Sequence, residues 1–197
     1  MSGFKFNLDP FVNFVSLYEE AVEKKMPEPN AMALATVGEN NKPSVRTVLY
    51  KGILRGGFSF YTNYQGRKAL EISQNPNVCV NFFWPQLERQ IRIEGQAEKV
   101  TRAESEAYFK SRPRVSQLGA WASKQSQRLT SLETLESHFQ ELDQRYAHQE
   151  IPCPPHWGGY IIIPEAIEFW FGRQGRMHER YQYVRNGSDW DRFFLNP

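Results

Sequence analysis

Arg176, His178 and Arg180 stand two apart in the run Arg176-Met177-His178-Glu179-Arg180. Alternate residues of a strand point to one face, so this spacing predicts three side chains projecting together. Two guanidiniums beside an imidazole are costly when buried without an anion, which points to a binding or reacting centre. Phe169-Trp170-Phe171, just upstream, should bury the neighbourhood. His178 alone of the four histidines keeps such company: His138 and His148 fall in a polar helical stretch and His156 in a proline-rich loop. On an open surface strand the same run would be unremarkable.

Cations also gather at strand ends and turns. Arg46 and Lys51 bracket one strand-like run, and Arg67-Lys68 follow Tyr61-Thr62-Asn63 at the start of a short helix. A helix N-terminus with cations beside it favours phosphate, and Tyr61, Thr62 and Gln90 add hydrogen bonds to the charge. Tyr108 and Arg112, four apart, share a helix face, and Ser116 follows a turn later, making a candidate second phosphate cradle. Either cluster could instead be a solvated basic face or a helix-end cation complementing the dipole.

The elements that must hold these residues read as follows. Asp9-Pro10 opens a helix over about 9–25, with Phe11, Phe14, Val15, Tyr18 and Val22 as its apolar face. Strands follow at 31–37, 44–51 and 58–62, separated by hairpin turns at 38–43 and 54–57. A short helix at 65–73 precedes strands at 78–84 and 89–100; in the second, Gln90, Arg92, Glu94 and Gln96 face one way and Ile91, Ile93 and Ala97 the other. Capping boxes at Thr101-Arg102-Ala103-Glu104 and Thr130-Ser131-Leu132-Glu133 start helices near 101–111 and 130–148, a helical section over about 101–148. Strands near 157–163 and 166–171 and a last one from about 176 to 185 complete the C-terminal part, about 157–185. Short sequential strands with tight turns indicate an antiparallel barrel or sandwich, a mainly β (α+β) chain forming one domain over 1–197.

Absences narrow the chemistry. The chain has no glycine-rich dinucleotide fingerprint, no phosphate loop ending in Gly-Lys-Ser/Thr, no zinc-type His/Cys spacing and no Gly-x-Ser-x-Gly elbow. Twenty-four Lys+Arg against 22 Asp+Glu leave a net charge of +2, too little to indicate a nucleic-acid partner. No apolar run reaches the length of a membrane span, and Met1-Ser2-Gly3-Phe4-Lys5 does not open a secretory signal. The two cysteines, Cys79 and Cys153, suit a reducing compartment, so a soluble cytoplasmic protein is expected.

In series, these segments resemble the pyridoxine/pyridoxamine 5′-phosphate oxidase family. The stretches are Arg46-Thr47-Val48-Leu49-Tyr50-Lys51, Tyr61-Thr62-Asn63, Gly66-Arg67-Lys68, Leu87-Glu88-Arg89-Gln90, Ser111-Arg112-Pro113-Arg114 with Ser116-Gln117 and Gly119-Ala120-Trp121, Ser123-Lys124-Gln125-Ser126, Trp157-Gly158-Gly159, Ile167-Glu168-Phe169-Trp170 and the Arg-x-His-x-Arg run. The resemblance implies an FMN-binding split β-barrel with flanking helices, homodimeric, with two active sites at the subunit interface. It implies that FMN is held by Arg46, Thr47, Val48, Leu49, Tyr50, Lys51, Tyr61, Thr62, Arg67, Lys68, Gln90, Gln125, Ser126, Trp170 and Arg180. Lys51, Tyr108, Arg112 and Ser116 would take the substrate phosphate, with Arg176 and His178 beside the substrate ring as the catalytic pair. The implied reaction oxidises C4′ of pyridoxine or pyridoxamine 5′-phosphate to the aldehyde, with oxygen as electron acceptor and hydrogen peroxide as product.

Two departures stand out. Only Met1 to Leu8 precede the first helix, without the Arg and Tyr of the family's longer lid arm, and the chain ends Trp190-Asp191-Arg192-Phe193-Phe194-Leu195-Asn196-Pro197 where the family usually ends in a shorter Arg-Leu-x-Pro. Two rival readings remain beside the B6 oxidase. One is a phenazine-biosynthesis type of flavin oxidase, which resembles this chain at the flavin motifs but lacks the substrate-phosphate set. The other is a non-catalytic flavin or pyridoxal phosphate carrier, against which both Arg176 and His178 weigh.

Overall fold

In the computed structural model, which describes residues 3–39 and 41–197, the first helix, α1, spans Pro10–Glu23. Asp9 Oδ1 accepts from the Phe11 N–H at 2.8 Å, and Pro10 takes the first turn. The buried stripe of α1 is Phe14, Leu17 and Ala21, with Asn13 beside it. The face expected from sequence is therefore rotated by part of a turn: Val15 and Val22 are exposed. Asn13 disguises the stripe. It is a polar residue that is fully buried because its side chain exchanges hydrogen bonds with the Lys5 backbone and donates to the Tyr183 hydroxyl.

The strands are β1 Ala31–Val37, β2 Pro43–Leu49, β3 Ile53–Leu54, β4 Gly57–Asn63, β5 Asn77–Trp84, β6 Arg89–Lys99, β7 Trp157–Phe171, β8 Glu179–Asn186 and β9 Asp189–Leu195. All pairings are antiparallel, in the order β2-β1-β5-β6-β7-β4-β3, with β8 joined to β7 and β9 to β8. The ring closes where the chain leaves β2: the Lys51 N–H donates to Ser59 O at 2.8 Å and the Ser59 N–H to Gly52 O at 2.9 Å. This is the split barrel expected from the sequence.

The two strands expected near 157–163 and 166–171 are one, β7. Its first half lies between β4 and β6 and its second half between β6 and β8, so the sheet forks along a single strand. Pro164 made the sequence look broken there. A proline survives mid-strand at a bulge, and the register of β6 against β7 shifts between Glu94 and Gly95, opposite Pro164. Gly95 permits the close approach, because a Cβ there would collide with the Ile163 carbonyl oxygen.

Three elements go beyond those expected from the sequence: the short β3, the C-terminal β9 and the helix α4. Helix α2 spans Arg67–Gln74, α3 Arg102–Lys110, α4 Arg114–Ala122 and α5 Leu132–Arg145. The capping box on α3 forms as expected, with Thr101 and Glu104 exchanging hydrogen bonds. For α5 the cap is Ser131, one residue later than the expected Thr130, and it accepts from the Thr134 N–H. The barrel core gathers Phe14, Met32, Leu34, Phe58, Phe82, Ile93 and Phe169. A second cluster, Phe109, Leu118, Ala122, Leu142, Ile151 and Trp157, fixes the helical section against β7.

Candidate functional site

A cleft of about 610 Å³ opens where the end of β2, the end of β4 and the start of α2 meet the α3–α4 corner. Arg46, Thr47, Val48, Leu49 and Lys51 line it from the β2 side, Tyr61 and Thr62 from β4, and Lys68 from α2. Tyr108, Arg112 and Ser116 line it from the helical section, and Gln125 from the loop after α4. The two cation clusters read separately from sequence thus open onto one space.

Lys68 is 9 % exposed, and its Nζ donates to Thr62 Oγ1 at 3.1 Å and to Gln125 Oε1 at 2.7 Å. Burial, and then the nearby Arg46 guanidinium, push its pKa below the ordinary lysine value. Arg112 rests its guanidinium carbon 4.5 Å over the Trp157 ring, and its buried Nη1 has no hydrogen-bond partner in the protein. Burial lowers its pKa as well. Among the described residues neither cation, nor Lys51, forms an ion pair. A buried, unpaired cation is costly, so the cleft is chemically suited to an anion.

Helix α2 adds its N-terminus. Gly66 caps it without a side-chain hydrogen bond, leaving backbone donors open, and a Cβ at Gly66 would press on Gln125 Oε1. Behind this, Glu71 accepts from Thr36, Ser44, Arg46 and Arg67. Burial alone would raise the Glu71 pKa, but the hydrogen bonds from Ser44, Thr36, Arg67 and Arg46 outweigh it and hold it at about 2. Arg67 itself is exposed and lies outside the cleft lining, as does Ser126, which has a left-handed φ of 67°.

Tyr50 is placed elsewhere. Its side chain is buried in the barrel, edge-on to Phe14 and Phe82, so at this position only the main chain is left to meet a ligand.

The remaining candidates form a row across three strands outside the cleft. Gln90 on β6 pairs with Trp170 on β7, which pairs with Arg180 on β8. Arg180 grips the buried Glu168 through both oxygens, at 2.7 and 3.2 Å, and donates to Asn196 O at 2.8 Å. Arg92 reaches the same carboxylate at 2.9 Å. The His178 ring lies 4.7 Å from that of Trp170, and its Nδ1 accepts from the Arg173 N–H at 3.1 Å. That bond leaves Nε2 as the protonated nitrogen of the neutral ring. The single-face strand expected for Arg176, His178 and Arg180 does not form. Arg176 ends a 3-10 turn over Gln174–Arg176 with φ of 62°, and β8 begins only at Glu179. The break that begins at Gly172-Arg173-Gln174-Gly175 runs on through His178, so the strand expected from about 176 starts three residues later.

Three residues that shape the site had no role in the sequence reading. Trp157 and Glu168 stand in the stretches that carry the family resemblance without a role of their own, and Glu71 stands in none of them. A lone carboxylate in the apolar run Ala166 to Phe171 was the available signal for Glu168.

Comparison with known proteins agrees with this geometry. Residues 18–146 match the family described as "Pyridoxamine 5′-phosphate oxidase", and residues 157–197 match the "Pyridoxine 5′-phosphate oxidase C-terminal dimerisation region". The chain is 50% identical over 195 residues to the pyridoxine/pyridoxamine 5′-phosphate oxidase of Bdellovibrio bacteriovorus, covering 98% of this chain and 100% of that one. PhzG from Burkholderia lata 383, solved with tetrahydrophenazine-1-carboxylic acid, superposes with a TM-score of 0.91 at 30% identity, covering 96% and 93% of the two chains. A pyridoxamine 5′-phosphate oxidase-related, FMN-binding protein from Nostoc punctiforme shares the fold, with a TM-score of 0.77 at 18% identity over 98% and 100%.

Proposed function

This chain belongs to the pyridoxine/pyridoxamine 5′-phosphate oxidase family, and we propose that its cleft seats FMN and the phosphate of a B6 vitamer together. It is an FMN-dependent oxidase of pyridoxine and pyridoxamine 5′-phosphate. The observation that carries the site assignment is the convergence of Lys51, Lys68 and Arg112, without ion-pair partners among the described residues, on one cleft.

The residues fit the cofactor. Lys68, Arg46 and the open N-terminus of α2 would hold the FMN phosphate, and Thr62 and Gln125 already fix the lysine beside it. Lys51, Tyr108, Arg112 and Ser116 would take the substrate phosphate. Trp157 holds Arg112 in place for it by stacking, without neutralising its charge. Bound FMN supplies the two-electron acceptor that no side chain provides. The protein's part is position and electrostatics: two phosphate anchors set the reacting carbon against the flavin and exclude other poses.

The row of Gln90, Trp170, His178 and Arg180 lies outside the cleft that it should serve. Residues 157–197 match a dimerisation region, which supports a homodimer in which one protomer's row completes its partner's cleft. His178 then offers Nε2–H, and Arg176 its guanidinium, to the substrate ring. Among the described residues no helix is long and apolar enough to cross a membrane.

The PhzG likeness makes a phenazine-type substrate the second reading. The aromatic-backed Arg112 cradle favours a phosphorylated one. The test is the flavin spectrum of the purified protein: anaerobic bleaching by pyridoxamine or pyridoxine 5′-phosphate is expected, with colour and hydrogen peroxide returning on admission of oxygen. Bleaching by neither phosphate would overturn the reading.

A further inference from the structure

We propose that Glu71 is a positioning residue for the cofactor phosphate, fixing from a single buried carboxylate both Arg46 on the cleft wall and Arg67, just outside the lining at the N-terminus of α2. The inference rests on the reading of the cleft as an FMN site.

Glu71 lies one turn into α2, with its side chain only 10% exposed, and its two oxygens divide the work. Oε1 accepts from Arg67 Nε at 2.8 Å, while Oε2 accepts from Arg46 Nη2 at 3.1 Å, Thr36 Oγ1 at 2.5 Å and Ser44 Oγ at 2.6 Å. The consequences for the two arginines are complementary. Arg46 has both terminal nitrogens engaged, Nη1 on Leu34 O and Thr36 Oγ1, Nη2 on Ser44 Oγ and Glu71. A guanidinium has five N–H groups, so Arg46 keeps its Nε–H as the donor for the cleft. Arg67 spends its Nε–H on Glu71 and keeps its terminal fork, the geometry that suits phosphate oxygens.

The carboxylate also joins two elements that otherwise meet through the apolar core, where Ala69 and Ile72 of α2 share a cluster with Met32 and Leu34 of β1. Thr36 and Ser44 sit opposite each other on β1 and β2, and Glu71 ties that pair to the first turns of α2. Against Arg46, Arg67 and Lys68, one carboxylate leaves an excess of two positive charges, the complement of a phosphate dianion. Without it Arg67, already 63% exposed, would swing freely in solvent, and Arg46 would lose the partner that sets its plane.

The test separates phosphate recognition from packing by using two flavins that differ only in the phosphate. Full-length protein freed of flavin is titrated with FMN and with riboflavin, following flavin fluorescence. The parent should prefer FMN. Glu71→Ala should cut the FMN-to-riboflavin affinity ratio by about tenfold or more, with riboflavin affinity held within about twofold. Glu71→Gln keeps one oxygen acceptor and should lose less, about threefold, and this variant carries the test if the alanine protein does not fold. An equal loss for both flavins would make Glu71 a packing residue and overturn the proposal. An unchanged ratio would overturn it too, and a raised ratio would show that the carboxylate merely repels the phosphate. A parent that does not distinguish FMN from riboflavin would instead sink the cofactor reading itself.

Discussion

The cleft and the C-terminal row carry the same residue types under opposite electrostatic terms. In the cleft, Lys51, Lys68 and Arg112 lack carboxylate partners among the described residues. In the row, Arg180 and Arg92 share the buried Glu168, and Arg173 is clamped to Glu179 at 2.8 Å. The first region is left with positive charge that a ligand must satisfy; in the second, with Glu94 also on Arg92, three carboxylates match the three arginines before any ligand arrives. A site that binds a phosphate needs the former arrangement, and a surface that must dock against another protomer in fixed geometry needs the latter. Arg46 is the cleft's exception, and its partner Glu71 lies at the rear of the cleft.

This contrast predicts that substitutions in the row cost stability and substitutions in the cleft cost binding. The largest effect should come from Glu168→Ala. It strands Arg180 and leaves Arg92 with only Glu94, and breaking a buried pair costs roughly 3–5 kcal/mol, less here because both arginines are part-exposed. Urea denaturation should show a drop of about 2–3 kcal/mol. A change below about 0.5 kcal/mol would end the claim that the row is held by its own ion pairs.

Arg112→Ala should do the reverse. Losing a charge-assisted contact worth about 1.5–3 kcal/mol should raise the KM for the phosphorylated substrate roughly tenfold to a hundredfold. Thermal stability without ligand should hold or rise, since a cation with a buried, partnerless Nη1 has been removed. Equal turnover of unphosphorylated pyridoxine by the parent would break the cradle assignment.

Acid denaturation sharpens the comparison further. Glu71 is held at about 2 against an ordinary 4.5, and a depressed carboxylate adds stability that is present above its unfolded value and lost as pH falls through the folded one. The free protein should therefore lose stability between about pH 4.5 and 2, and Glu71→Gln should flatten that part of the curve. The hydrogen bond from Arg173 lowers the Glu179 pKa too, but that pair is exposed, so Glu179→Gln should flatten the curve less. A larger change for Glu179 would place the stronger carboxylate in the row.

What could be read from the sequence followed local rules. The Asp9 cap, the Thr101 capping box and the alternation of β6 depend on neighbours in the chain, and they appear where expected. The cation clusters were visible because their residue types are unusual for strand ends. Less local features were hidden. The α1 face turns on Asn13 finding Tyr183, 170 residues away. The unity of β7 depends on a bulge, with Glu165 its extra residue, that absorbs Pro164. The i,i+4 spacing offers Arg67 to Glu71, but the hold of Glu71 on Arg46, and of Glu168 on Arg92 and Arg180, needs partners from other elements, which spacing does not supply.

Tyr50 tests the same distinction at the smallest scale. It falls inside the stretch from Arg46 to Lys51 that the family resemblance marks for FMN, yet burial in this stretch alternates, with Val48 and Tyr50 buried and Thr47 and Leu49 exposed. A ring facing Phe14, Phe58 and Phe82 cannot also face the cleft, and burial pushes its hydroxyl up to about 12. Tyr50→Phe keeps the ring and removes only that hydroxyl. FMN affinity should stay within about twofold and stability within about 1 kcal/mol. A tenfold loss of FMN affinity would mean that the hydroxyl reaches the flavin after all, and that the wall between core and cleft at β2 is thinner than the packing shows.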